Sequence, residues 1–170
     1  LVDAMRINTD VAMNWRPFWQ DLASPATANA LRNVVTRYAS HGRLWINDPD
    51  CVMVRRRDDE NDLKFSEMRT MVALMGLSGG MILNGDNFVT LAPGRLKYLT
   101  KLLPPSNRAA IPLDLFENEL PRVLALPCDG AAGRYMVLGA VNWGDHTTAT
   151  VLDLPGLLGD EVKAGMHAYD

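Results

Sequence analysis

Residues 43–55 read RLWINDPDCVMVR, and this stretch decides the fold. An apolar start, Leu44-Trp45-Ile46, runs into two acids around a proline, Asp48-Pro49-Asp50. An apolar run, Cys51-Val52-Met53-Val54, then resumes. Acids set in otherwise buried sequence are costly unless something pairs with them. A strand that ends in Asp-Pro-Asp therefore reads as the rim of a scaffold on which a site is assembled.

Working outward, the flanking sequence alternates. Leu1 to Ile7 reads as a short strand with a loop at Asn8-Thr9-Asp10, and Trp15 to Pro25, with Trp15, Phe18, Trp19 and two prolines, as an ordered loop. Thr27 to His41 carries Ala30, Leu31, Val34, Val35, Tyr38 and Ala39 at helical spacing, and Gly42 stops it. Downstream, Ser66 opens a helix with Glu67 in its first turn and Met68, Met71, Val72, Leu74 and Met75 on its buried face. Gly79-Gly80 closes that helix, Met81-Ile82-Leu83 is the next strand, and Asn84-Gly85-Asp86-Asn87 is the loop at its end. Pro93 sits in the first turn of a further helix, Gly94 to Leu103, which Pro104-Pro105 ends.

Strand, helix, strand, helix, strand, helix is the order of parallel βα units, so residues 1–106 are α/β. The character then changes. Leu120 to Leu126, Tyr135 to Trp143 and Thr147 to Leu154 are strand-like runs between Gly, Asp and Asn turns, so residues 107–170 read as antiparallel β, with the boundary near Ser106-Asn107.

Composition narrows the function. The 170 residues are 48% hydrophobic and 22% charged with a net charge of -3, which leaves no nucleic-acid footprint. The basic run Arg55-Arg56-Arg57 is cancelled at once by Asp58-Asp59-Glu60. No apolar run reaches the roughly 18 residues that span a bilayer. Cys51 and Cys128 are far apart, show no zinc spacing and read as reduced thiols, which leans towards the cytoplasm. The chain begins at Leu1 already in a strand and stops at His167-Ala168-Tyr169-Asp170 as another begins, so a segment of a longer protein is expected, with any targeting sequence outside it.

In a parallel βα array, ligands bind at the carboxyl ends of the strands. The first strand end offers Arg6 and Asp10, the second Asn47, Asp48 and Asp50, the third Asn84, Asp86 and Asn87. Any one of these alone is a turn former; three in succession at one rim point to a site. An open doubly wound sheet would gather them as well as a barrel. The histidines, His41, His146 and His167, are scattered. Leu77-Ser78-Gly79-Gly80 lacks the first glycine of a nucleophile elbow, and no dinucleotide fingerprint occurs. Carboxylates, an arginine, asparagines and tryptophans remain, with no metal or cofactor motif. Glycosidic cleavage needs such parts: one carboxyl to protonate the leaving oxygen, another to attack or to activate water.

DAMRINTDVAMNW (residues 3–15), RLWINDPDCVMVR (43–55), LSGGMILNGDN (77–87) and LAPGRLKYLTKLLPP (91–105) together resemble, in order and spacing, the family 36 glycoside hydrolases, the bacterial-type α-galactosidases. The resemblance implies the C-terminal portion, about strands six to eight, of a (β/α)8 barrel, followed by part of an antiparallel β-sandwich. It implies Asp10 as the general acid/base, Arg6 beside it and on the sugar, Asp50 in the pocket, Asp48 holding the loop and Trp45 packed within the barrel. The family's nucleophile, an aspartate in a Lys-x-Asp type motif, would lie upstream of Leu1. Asn84-Gly85 departs from the apolar residue and serine more usual in the family.

The expected parent is a retaining α-galactosidase acting on terminal α-galactosyl residues of oligosaccharides, with no cofactor, no nucleic-acid partner and no membrane partner. Residues 1–170 alone are expected to be inactive, and their open strand edges make self-association into a homo-oligomer plausible. Galactosyl transfer, action on N-acetylgalactosamine and a non-catalytic carbohydrate-binding role stay open as alternatives.

Overall fold

The computed structural model describes residues 2–18, 21–56, 62–131, 133–149 and 151–159. Trp19, the Arg57-Asp58-Asp59-Glu60 part of the charged loop, Thr150, His167 and Tyr169-Asp170 lie outside the described residues.

Strand β1 (Ala4–Arg6) runs parallel to β2 (Ile46–Asp48), with Ala4 opposite Ile46, Met5 opposite Asn47 and Arg6 opposite Asp48. The ladder extends by one bond, from the Ile7 N–H to the Asp48 carbonyl at 3.1 Å. The chain then breaks at Pro49 and Asp50, resumes as β3 (Cys51–Val52), and pairs in parallel with β4 (Leu83–Asn84). Asp-Pro-Asp thus marks the point at which one extended segment changes partner. Proline has no N–H to give a ladder, so a pairing bond is missing at that point.

Parallel strands need long crossovers, and helices supply them. Helix α1 (Thr27–Thr36) joins β1 to β2, α2 (Phe65–Leu77) joins β3 to β4, and α3 (Pro93–Thr100) follows β4. The α/β order expected from the sequence is therefore observed. At the start of α2 the Glu67 carboxylate accepts the Lys64 N–H at 2.7 Å, which satisfies one of the amides a helix start leaves free. Leu31, Val34 and Val35 of α1 meet Met68, Met71, Leu74 and Met75 of α2 over Val52 and Val54. Unbranched methionines fit the irregular gap between helices and strands.

Helix α1 ends earlier than expected and β4 starts later, and one residue bears on both, whereas α3 ends at Thr100 rather than Leu103. Helix α1 stops at Thr36 rather than His41 and tightens into a 3-10 turn over Tyr38–Ser40. Asn47, only 1% exposed, donates from Nδ2 to the Arg37 carbonyl (3.1 Å), which a longer α-helix would have offered to the His41 N–H. Its Oδ1 also accepts the Ser40 hydroxyl at 2.7 Å. At the end of α2, the Asn47 carbonyl accepts the Met81 N–H at 3.0 Å. That approach is so close that a Cβ on Gly80 would strike the Asn47 carbonyl, and one on Gly79 (φ +68°) would strike the Arg108 carbonyl. The glycine pair is therefore fixed by backbone approach as well as by helix termination, and the strand expected at Met81–Leu83 forms at Leu83–Asn84.

Beyond residue 106 lies a three-stranded antiparallel sheet in the order β5 (Ile111–Pro112), β6 (Val123–Gly130), β7 (Gly133–Ala140). The strand expected at Leu120 starts at Val123, because the buried Asp114 carboxylate takes the Arg122 and Val123 N–H groups (2.9–3.1 Å) for a turn. The strand expected at Thr147–Leu154 is absent among the described residues. Residues 151–153 run instead into a short helix, α4 (Leu154–Leu158), with Pro155 in its first turn. Among the described residues the antiparallel part is one sheet, without the second layer of a sandwich. Its inner residues Leu124 and Leu126, with Trp143, share one continuous core with α1 and α2. The Ala110 N–H donates to the Leu77 carbonyl at 2.8 Å, and Trp143 stacks on Trp15 with ring centroids 6.1 Å apart. Among the described residues no helix is long and apolar enough to cross a membrane.

Two glycine substitutions should separate close approach from plain helix propensity in urea unfolding. Gly80→Ala should cost about 1–3 kcal/mol, because its methyl meets backbone that cannot rotate away. Gly94→Ala, in α3 with nothing within 4 Å of the new methyl, should stabilise by about 0.4–1 kcal/mol.

Candidate active site

The carboxyl ends of β1 and β2 lie side by side, and a single guanidinium ties them together. Arg6, the last residue of β1, donates from Nη2 to Asp10 Oδ1 at 3.0 Å. The same nitrogen pairs with Asp50 Oδ2. The three candidate residues are thus brought into one cluster by the parallel register, which sets Arg6 opposite Asp48 two residues before Asp50.

The two carboxylates have different surroundings. The Asp50 side chain is 15% exposed, and its backbone adopts φ +70°, a left-handed conformation that Asp tolerates better than most residues. It is held there from several directions. Asp48 Oδ1 accepts the Asp50 N–H at 2.8 Å, Asp50 Oδ1 accepts the Cys51 N–H at 2.7 Å, and Asp50 Oδ2 accepts the Val11 N–H at 2.8 Å. The Asp48 side chain, in other words, braces the turn that carries Asp50. The Asp10 side chain is 76% exposed, and among the described residues its only partner is Arg6. An exposed ion pair of this kind adds at most about 1 kcal/mol of stability. One carboxylate is anchored and the other is free for chemistry.

The third rim contributes differently. The Asp86 side chain is fully buried, accepting the Val54 N–H (2.6 Å), the Arg55 N–H (3.3 Å) and Arg55 Nη1 (2.9 Å). It fixes the chain after β3 and presents no free oxygen to a ligand. Asn84 Nδ2 donates to the Asp86 carbonyl at 2.6 Å, and Asn87 Oδ1 accepts the Val89 N–H at 2.9 Å, a local turn bond. Asn47 points into the end of α1, as described above. Of the eight polar residues at the three strand ends, Arg6, Asp10 and Asp50 are the ones that converge. Asn8, which the sequence offers only as part of a loop, joins this cluster through its side chain. It accepts from Arg6 Nε at 3.2 Å and donates to the Pro49 carbonyl at 2.8 Å. The signal for it is its place in the loop directly after β1, two residues beyond Arg6.

The cluster lies on an open rim. A cavity of about 880 Å³ lies elsewhere, between α2, the end of α3 and β7, and none of Arg6, Asp10 and Asp50 lines it. Trp15 and Trp143 are packed in the core, so neither is free to stack on a ligand. Trp45 is half-buried, and among the described residues its indole Nε1 has no partner. Among the described residues no three of His, Cys, Asp and Glu converge as a metal site. Chemically, an exposed carboxylate beside a fixed guanidinium can exchange a proton with a bound hydroxyl or glycosidic oxygen while the arginine orients it.

No family model matches the chain. Among solved structures it is similar to TtGalA, the α-galactosidase from Thermus thermophilus. In complex with stachyose that structure matches at 31% identity over 56% of this chain and 21% of its own, with a TM-score of 0.48. In complex with p-nitrophenyl α-D-galactopyranoside it matches at 30% identity over 65% of this chain and 22% of its own, again at 0.48. A Bacteroides fragilis protein provisionally assigned as an α-galactosidase matches at 15% identity and a TM-score of 0.60, over 80% of this chain and 30% of its own. That last likeness is one of fold. The chain spans between about a fifth and a third of the length of these proteins.

Next to Asp50, the Cys51 thiol is pushed above its ordinary value of 9.0, first by burial and then by the charge and hydrogen bond of Asp50. Above pH 9 the unfolded thiol ionises while the folded one stays protonated. Stability is therefore full below that point and falls as pH rises through the window up to the raised folded value. In a Cys128→Ser background at pH 9, iodoacetamide should alkylate Cys51 more slowly in the folded chain than in urea. Asp50→Asn should speed the folded reaction. Equal folded and unfolded rates would remove the claimed effect of burial and charge.

Proposed function

We propose that these residues form part of a retaining α-galactosidase of glycoside hydrolase family 36, acting on terminal α-galactosyl groups of oligosaccharides. The observation that carries this reading is the Arg6 guanidinium shared by an exposed Asp10 and a half-buried Asp50 across neighbouring parallel strand ends. The four sequence stretches quoted above support it. In this reading the βα units are about the sixth to eighth of a (β/α)8 barrel, residues 1–106, and residues 107–170 are part of a β-sandwich domain.

Asp10 serves as the general acid, protonating the glycosidic oxygen as it leaves, and then as the base that deprotonates the incoming water. Retention needs a second carboxylate about 5–5.5 Å from the first, on the other face of the sugar. Asp50 is a poor nucleophile, because Cys51, Val11 and Arg6 already claim both of its oxygens. It binds and braces, with Arg6, in the sugar pocket. The attacking carboxylate comes from outside residues 1–170. The reading assigns no cofactor. A cytoplasmic location and self-association of the chain belong to the same proposal.

The test is glycoside cleavage by the intact enzyme that contains these residues, with and without Asp10→Asn. For an alkyl α-galactoside, whose leaving group needs a proton, the substitution should lower kcat by about 10²–10⁴-fold. For p-nitrophenyl α-galactoside, whose leaving group departs unprotonated, the first chemical step should suffer much less. Equal losses in kcat/KM, which reports that first step, on both substrates would make Asp10 a structural residue. Residues 1–170 alone should release no nitrophenol, and release that vanishes with Asp10→Asn would mean that the second working carboxylate lies among them.

A further inference from the structure

We infer that Asn8 is a positioning residue that decides which nitrogen of Arg6 is offered to a bound polyol. The inference rests on the galactoside reading for the identity of the ligand but not for the positioning itself.

A guanidinium has five N–H donors on three nitrogens in a rigid plane. In this protein Nε donates to Asn8 Oδ1 at 3.2 Å. Nη2 donates to Asp10 Oδ1 at 3.0 Å and is ion-paired with Asp50 Oδ2. Among the described residues Nη1 has no partner, and the arginine side chain is 39% exposed. The plane is held along one edge, and the two donors of Nη1 are left for solvent or a ligand.

The Asn8 amide can serve in one orientation only. Arg6 Nε is a pure donor and the Pro49 carbonyl a pure acceptor, so the amide oxygen must face the arginine and its nitrogen the proline. The bond to Pro49, at 2.8 Å over a sequence separation of 41, anchors Asn8 to the turn that carries Asp50. One side chain therefore couples the arginine plane to the backbone beside the half-buried Asp50 carboxylate. Without it, the two carboxylates constrain only Nη2, and the plane can swing about that nitrogen.

A pair of donors on one fixed nitrogen suits neighbouring hydroxyl oxygens of a sugar. Because such bonds form with the ground state as well as the transition state, Asn8 belongs to affinity more than to turnover.

The Arg6 Nε–H resonance of the nitrogen-15-labelled 170-residue chain reports on this contact without any need for activity. In the wild-type chain it should exchange slowly with water. Asn8→Ala should speed its exchange by about tenfold or more, the loss expected for one hydrogen bond to a charged group. Asn8→Asp, which keeps an acceptor facing Nε but no donor for Pro49, should preserve the protection. Unchanged exchange in a folded Asn8→Ala chain overturns the inference, as does equal loss in Asn8→Asp. In the intact enzyme, Asn8→Ala should raise KM for an α-galactoside about tenfold with kcat changed much less, whereas a proportionate fall in kcat alone would contradict the role. Protection that depends on Asn8 in a protein that neither binds nor cleaves galactosides would uphold the positioning and overturn the galactoside reading.

Discussion

The rim depends on one constraint: Asp50 must stay in a left-handed turn between two segments that pair with different strands. That conformation costs on the order of 1–2 kcal/mol for a residue with a Cβ. Three backbone or side-chain hydrogen bonds and the Arg6 ion pair offset it, reaching from Asp48, Cys51, Val11 and Arg6. Because the Val11 N–H is one of these partners, Asp50 also fixes the backbone directly after Asp10. An exposed carboxylate that would otherwise wander is thereby kept beside a guanidinium that cannot.

Behind the rim, Asn47 does for the scaffold what Asp50 does for the site. Its amide ends α1, its N–H donates to His41 Nδ1 at 3.2 Å, and its carbonyl receives the chain leaving α2. Being buried, it must satisfy every one of these groups. The positions of β2, α1 and the start of β4 are therefore linked through one residue, adjacent in sequence to the Asp-Pro-Asp turn. The depth of the core and the precision of the rim have a common origin.

The sequence made the βα order legible because its signals are local: a 3.6-residue period in α1 and α2, a proline at the start of α3, apolar runs for the strands. It also singled out Arg6, Asp10 and Asp50, because charged residues following apolar runs are conspicuous. Other features were hidden for physical reasons. The early end of α1 depends on Asn47, ten residues beyond Arg37 in sequence but adjacent in space. Asp86 looked like a rim residue, yet its carboxylate is buried against Val54 and Arg55, a contact no pattern announces. The expected strand at Thr147–Leu154 had the right composition but no neighbour to pair with among the described residues, and strands form in pairs. Asn8 carries no signal in the sequence beyond its place in the loop, because an asparagine there is ordinarily a turn former.

The most direct measurement is chemical-shift mapping of the nitrogen-15-labelled 170-residue chain with methyl α-galactoside, set against methyl α-glucoside. Shifts centred on Arg6, Asp10, Val11 and Asp50, with the galactoside stronger than its epimer, are what a galactose-recognising rim predicts. Shifts centred instead on the cavity between α2 and β7, or no response at saturating sugar, would contradict it.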